Sequence, residues 1–143
     1  MKVINRVFIE FPSKSMNESF ARSSVAIFAA QLDPTIEELN DIKTAVSEAV
    51  TNSIVHAYPN SIGKIRIAIA VMEGDFLEII VRDRGVGIGN VDEAREPLYT
   101  TGGEERSGMG FTIMESFMTK LRVRSTLGKG TTVRMMKQIG KKG

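Results

Sequence analysis

Ile65, Ile67, Ile69 and Val71 alternate with Arg66, Ala68 and Ala70. That period of two puts the branched side chains on one face of a strand. Gly74-Asp75 supplies a reversal, and residues 76–82 read as the returning strand, rich in Phe76, Leu77, Ile79, Ile80 and Val81. The hairpin lies between two long helical patterns and a stretch holding Gly85, Gly87, Gly89, Gly102, Gly103, Gly108 and Gly110.

Residues 16–32 predict one helix whose face carries Phe20, Ser24, Ile27, Phe28 and Gln31, with Phe20, Ile27 and Phe28 as its bulky part. Asp33-Pro34 predicts the start of a second helix. Asp33 is read as its N-cap, Pro34 as its first residue, and Glu37 and Glu38 lie near the positive end of the dipole. Its apolar stripe is Ile36, Leu39, Ile42, Val46, Ala49, Val50 and Ile54, and Pro59 stops it after about Ala57. A first strand carries Val3, Val7, Ile9 and Phe11 and ends at Pro12. A short helix is expected over residues 109–117. Two strands follow, Leu121-Val123-Ser125 and Thr131-Val133-Met135, across the turn Leu127-Gly128-Lys129-Gly130.

With 143 residues, the chain has room for one core and is expected to form a single domain over 1–143. Hydrophobic residues at 42% and charged residues at 25% are globular proportions, which excludes disorder, collagen and coiled coil. No Cys is present, so disulfides, zinc ribbons and thiol catalysis are excluded and a reducing compartment fits. Residues 1–6 lack an apolar leader, and the longest apolar run, 67–72, is too short to cross a bilayer. The expectation is a cytoplasmic protein without a membrane partner. A formal charge of +2 gives little support to a nucleic-acid footprint, and neither long helix is rich in Arg and Lys.

Four clusters carry chemistry. Glu48, Asn52 and His56 recur every four residues, about 6 Å apart along the helix axis, on a flank distinct from the Ile42/Val46/Val50 stripe. They read either as a solvated polar face, or as a proton-accepting carboxylate one turn from an amide oxygen that can hold a hard cation. The run Asp83-Arg84-Gly85-Val86-Gly87-Ile88-Gly89 ends the returning strand. It reads either as a tight turn, or as a carboxylate that accepts from an exocyclic amino group such as adenine's, with glycines that admit a ligand close to the backbone. It is not a dinucleotide fingerprint, since no helix starts there, nor a Walker loop, since no Gly-Lys-Ser/Thr is present. Ser107-Gly108-Met109-Gly110-Phe111 opens a helix, where free amides and the dipole form a phosphate seat. Gly128-Lys129-Gly130-Thr131-Thr132 is by itself a hairpin turn.

In this order the four clusters resemble the ATP-binding motifs of the GHKL superfamily: gyrase-type topoisomerases, the large heat-shock chaperones, histidine kinases and mismatch-repair ATPases. Residues 48–56 are similar to its N box, and residues 83–87, 108–110 and 128–130 to its three glycine boxes, so the likeness spans nearly the whole chain. The resemblance implies an α/β fold, a two-layer sandwich with a mostly antiparallel mixed sheet, helices on one face and ATP between them (the Bergerat fold). It implies that Glu48 is the catalytic base, Asn52 the holder of Mg²⁺, and Asp83 the reader of adenine. Gly85 and Gly87 would line the base pocket, Thr131 would assist by hydrogen bonding, and Gly108 and Gly110 would seat the phosphates of ATP or ADP. Arg106 is the candidate γ-phosphate contact, and His56 is expected to make a structural hydrogen bond.

His56 is the only His and lies inside the nucleotide motif, so autophosphorylation on His is not expected. The chain ends soon after the last glycine box, so a gyrase-like transducer is not expected either. Residues 18–28 and 47–58 resemble the small bacterial anti-sigma factors that are also serine protein kinases, the sporulation ones most closely. That resemblance implies an anti-sigma factor that inhibits a sporulation sigma factor and, with ATP and Mg²⁺, phosphorylates a serine of an anti-anti-sigma protein. The alternative is a nucleotide-dependent anti-sigma binding module without kinase activity, against which the intact Glu48 argues. A homodimer is implied as well, with the first strand and first helix as the expected interface, and no direct contact with nucleic acid. Residues 90–107, charged and with Gly102-Gly103 as a hinge, are expected to form a mobile lid set differently by ATP and ADP.

Overall fold

The computed structural model describes residues 1–95 and 106–140. Its elements run β1 (Val3–Pro12), α1 (Asn17–Ala29), a 3₁₀ turn (Ala30–Leu32), α2 (Ile36–Asn52), a π-helical turn (Ser53–Ala57), β2 (Lys64–Met72) and β3 (Phe76–Asp83). Then come a short α3 (Val91–Ala94), α4 (Arg106–Phe117), β4 (Lys120–Thr126) and β5 (Gly130–Gln138). The strands form one sheet in the order β1-β2-β3-β5-β4. The expected two-layer sandwich is present. Each described pairing is antiparallel, so the sheet has no parallel component among the described residues.

The period-two pattern sets the register: Ile67 faces Val81 and Ile69 faces Ile79. These four, with Ile65 and Leu77, are at most 1% exposed. They join Val25 of α1, Ile42, Val46 and Val50 of α2, and Met114 of α4 in one core. Burying each such side chain contributes about 1.5–3 kcal/mol, so this face holds the two layers together. On the opposite face the even-numbered residues Arg66, Arg82, Arg122 and Arg124 are exposed.

Several local expectations are corrected. The core face of α1 is Ala21, Val25 and Ala29, while Phe20 and Ile27 are 53% and 76% exposed. Both stripes have helical spacing, and the small residues win because they let α1 lie close against α2. Asp33 is not the N-cap of α2. An N-cap takes extended backbone, and Asp33 is instead left-handed, closing the 3₁₀ turn at φ 54°. Thr35 caps instead: its Oγ1 accepts from the Glu38 amide at 3.1 Å, and the Glu38 carboxylate accepts from the Thr35 amide at 2.8 Å. That is a capping box. Ile36, expected on the stripe, is 78% exposed. The helix expected to run to Ala57 changes pitch after Asn52 into the π turn. α4 begins three residues earlier than expected, at Arg106. Within the segment expected to be a lid, Asn90 caps α3 and Ala94 is buried at 2% exposure, so residues 90–94 are packed structure. The Gly102-Gly103 hinge lies outside the described residues.

Candidate nucleotide site

A cavity of about 320 Å³ opens between the end of α2 with its π turn, the loop after β3, the start of α4 and the β4–β5 hairpin. Its walls are largely apolar, including Ile88, Ala94, Phe111 and Leu127. Small-molecule pockets have this character: an apolar slot with a few convergent polar groups. Among the described residues, Asp83 is the one carboxylate on these walls.

Asp83 ends β3 and is 6% exposed. Its Oδ1 accepts from the amides of Gly85 at 3.0 Å and Thr131 at 3.1 Å, and its Oδ2 accepts from Ser53 Oγ at 3.0 Å. Both acceptor positions of Oδ1 are thereby used, and Oδ2 keeps one for a ligand donor. Burial raises the Asp83 pKa above the ordinary aspartate value, and the three hydrogen bonds offset part of that shift. The site therefore presents a desolvated acceptor, fixed in direction, in an apolar slot.

The glycines act first by letting backbone segments touch. A Cβ on Gly85 would collide with the Ala57 carbonyl, and one on Gly130, at φ +117°, with the Asp83 carbonyl. Gly87, at φ +76°, lines the cavity, and a Cβ there would strike the Thr126 carbonyl. Val86 N donates to Ala57 O at 2.9 Å, and Gly128 N donates to Val86 O at 2.6 Å, so the loop is laced to both neighbours. Gly85 thus joins the loop to the π turn and does not line the cavity.

Glu48 and Asn52 converge on Gly110. An ideal Cβ at Gly110 would lie 3.2 Å from both Glu48 Oε1 and Asn52 Nδ2. Asn52 is on the cavity wall, and its Nδ2 is buried without a hydrogen-bond partner. Rotating the amide exchanges oxygen and nitrogen at that position, so it suits a hard cation through oxygen or a phosphate oxygen through N–H. The donor set therefore fits Mg²⁺ held jointly with phosphates. Among the described residues no group of three or more acidic or His side chains could hold a metal alone.

α4 starting at Arg106 leaves the amides of residues 106–108 without an intrahelical acceptor. Gly108 therefore carries the last amide outside the helix ladder, whereas the Gly110 amide is committed to it. Gly110, expected to seat phosphate, serves by having no side chain between α4 and the Glu48/Asn52 pair. The Arg106 side chain, the candidate γ-phosphate contact, lies outside the described residues.

His56 lines the cavity as a partnered residue. Thr131 contributes its amide to Asp83, and its hydroxyl lies 2.7 Å from Ser125 Oγ. Ser53 and Ser125 were not singled out in the sequence. The signal for Ser53 was a hydroxyl in the buried stripe, between Val50 and Ala57. Ser125 accepts from the Ile88 amide at 2.7 Å, a contact 37 residues away with no local signature. No helix of the described residues is long and apolar enough to cross a membrane.

The profile of the histidine kinase-like ATPase domain matches residues 11–137. The chain is 59% identical over 141 residues to the anti-sigma F factor of Thermoanaerobacter sp. strain X514, covering 98% of each chain. It is 56% identical over 138 residues to that of Geobacillus thermodenitrificans, covering 96% of this chain and 94% of the relative. Among solved structures, the RsbU and RsbW domains of a Mycobacterium tuberculosis protein match with TM-score 0.71 at 19% identity, over 97% of this chain and 34% of that one. A blue-light activated histidine kinase of Erythrobacter litoralis matches with TM-score 0.58 at 22% identity, over 82% of this chain and 40% of that one. At these identities the structural matches show a shared fold.

Proposed function

The chain belongs to the histidine kinase-like ATPase domain family and to the anti-sigma F factors within it, and we propose that it is an ATP-dependent serine protein kinase as well as an inhibitor of a sigma factor. Adenine occupies the cavity beside Asp83, its amino group donating to Oδ2. The phosphates point toward the start of α4, where the Gly108 amide lies outside the helix ladder and Arg106 follows from the sequence as the γ-phosphate contact. Asn52 holds Mg²⁺, which when bound neutralises charge on the phosphates. Glu48 accepts the proton of a serine hydroxyl on an anti-anti-sigma protein. The serine oxygen–γ-phosphorus bond forms, the bond from that phosphorus to the bridging oxygen breaks, and ADP leaves. Phosphoryl transfer is mostly positioning and charge stabilisation, so one base, one metal and a donor cradle suffice.

The observation that carries this reading is the convergence of Glu48 and Asn52 on Gly110, beside a cavity whose one carboxylate among the described residues is a buried, oriented acceptor. Self-association through β1 and α1 is supported by exposed apolar residues: Ile4 at 65%, Phe20 at 53% and Ile27 at 76%.

The test is transfer of labelled γ-phosphate to an anti-anti-sigma protein. Glu48→Gln keeps size and polarity but removes the base. Near-parental ATP binding is expected, with transfer slowed roughly 10²-fold or more. Unchanged transfer takes the base role from Glu48. Nucleotide-dependent sigma binding with no phosphoserine in the parent would leave a binding module without kinase activity.

A further inference from the structure

The sheet face opposite the helices gathers arginines. One row across it runs Glu10 of β1, Arg66 of β2, Arg82 of β3, Thr132 of β5 and Arg124 of β4. The next row runs Phe8, Ala68, Ile80, Arg134 and Arg122. Like charges directly opposite each other are destabilising, yet Arg66 faces Arg82 and Arg122 faces Arg134. The compensation is small. Glu78, 3% exposed, pairs with Arg6 and Arg134, and Glu10 pairs with Lys64. Arg66 lies 4.4 Å over the Phe8 ring and has no carboxylate. Arg82, Arg122 and Arg124 are exposed, and none of their side chains has a hydrogen bond or ion pair among the described residues. The face therefore holds four uncompensated positive charges on a chain whose total is +2, which makes the rest of the molecule net acidic. A groove of about 590 Å³ runs over part of it, lined by Arg82, Arg122 and Arg124, by the Glu78 cluster with Arg6 and Arg134, and by apolar Ile80, Met72 and Val3; Arg66 lies outside this groove.

We propose that this face is a docking surface for an acidic, extended polypeptide segment of a partner protein, with carboxylates at alternate positions. Neighbouring strands lie about 4.8 Å apart, so the row from Arg66 to Arg124 spans roughly 14 Å. An extended segment presents side chains on one side every ~6.7 Å, so carboxylates at positions i, i+2 and i+4 span ~13 Å. Guanidinium groups take carboxylates through paired N–H donors, and arginine beside an apolar centre is typical of protein interfaces. A single-stranded nucleic acid needs free aromatic faces for its bases, and the exposed ring here, Phe8, is covered by Arg66. The surface lies across the sheet from the nucleotide cavity and does not depend on the reading of that site.

The probe is a fluorescein-labelled peptide of five Glu-Thr repeats, titrated against the full chain by anisotropy at two salt concentrations. Saturable, salt-sensitive binding is expected, weakened at least tenfold in the double variant R82Q/R124Q. In R82E/R124E the preference should switch to a peptide of five Lys-Thr repeats, which a loss of fold could not produce. R82Q/R124Q should unfold thermally at or above the parental temperature, because repulsion has been removed. No binding of the Glu-Thr peptide to the parent, or equal binding to R82Q/R124Q, overturns the proposal. So does binding of a ten-nucleotide oligothymidylate in place of the peptide, which assigns the face to nucleic acid. A dimer in sedimentation that R82Q/R124Q abolishes also overturns it, by assigning the face to a second copy of the chain.

Discussion

Asp83 meets three donors with two oxygens, and the division between them says what a substitution would do. In Asp83→Asn the amide oxygen can keep the Gly85 and Thr131 amides, while Nδ2 donates to Ser53 Oγ. The fold is retained, but the remaining acceptor on the cavity side becomes a donor. An adenine amino group would then meet an N–H. Nucleotide affinity is expected to fall by about 1–3 kcal/mol, roughly 5- to 150-fold, with unchanged circular dichroism. Calorimetric titration checks this, and parental affinity in the variant would remove the adenine role. Protonation should act like the substitution. Because burial raises the Asp83 pKa, affinity should begin to fall on acidification above the ordinary aspartate range. Asp83→Asn should lack that pH dependence.

At the scale of elements, α2 and α4 bring the chemistry together, and Gly110 is their contact. Gly110→Ala replaces a poor helix former, a gain of about 1 kcal/mol in an unhindered helix. Here the new methyl would sit 3.2 Å from Glu48 Oε1 and Asn52 Nδ2. Thermal stability is expected to hold or rise slightly while phosphate transfer drops about tenfold or more, read in the same labelled assay. Loss of stability in parallel with activity would make Gly110 a packing residue only. The start of α2 gives a separate prediction. Thr35→Ala removes one half of the capping box and should cost about 1 kcal/mol by urea unfolding. Glu38→Ala should cost more, because that carboxylate also accepts from the Gly140 amide at 2.9 Å. The strands were legible because a period of two has no competing reading. The face of α1 was not, because Phe20/Ile27 and Ala21/Val25/Ala29 are both helically spaced and only the neighbour decides between them. The cap was obscured by Asp33-Pro34, a helix-start signal two residues too early. The π turn has no pattern of its own, and it is what brings Ala57 against Gly85.

At the scale of the whole molecule, the candidate site was legible as an order of motifs but not as a set of contacts. Glu48, Asn52 and Asp83 could be named because their residue types carry chemistry at fixed spacing. Ser53, Ser125 and the collisions that fix Gly85 and Gly130 depend on segments 28 to 47 residues apart in the chain, which only the closed sheet brings together. Two carboxylates then give the folded chain opposite responses to pH. Desolvation acts on Glu38, but the Thr35 and Gly140 amides, the Thr35 hydroxyl and Lys137 outweigh it and lower its pKa. Its contribution is present above the ordinary glutamate value and is lost as pH falls through the folded one. Asp83 is raised, so between its ordinary and its folded value the native state holds a proton that the unfolded chain has released. Stability from Asp83 therefore falls as pH rises through that window and is flat above it. Thermal unfolding of the nucleotide-free parent and of Asp83→Asn should converge at acid pH. As pH rises toward neutral, they should separate in favour of the variant. Saturating ATP at a hundred times its dissociation constant should add about 2.7 kcal/mol to the parent and far less to Asp83→Asn at the same concentration, reversing their order at neutral pH. A parent that outlasts the variant without nucleotide would show that the three hydrogen bonds to Asp83 outweigh the cost of burying its charge.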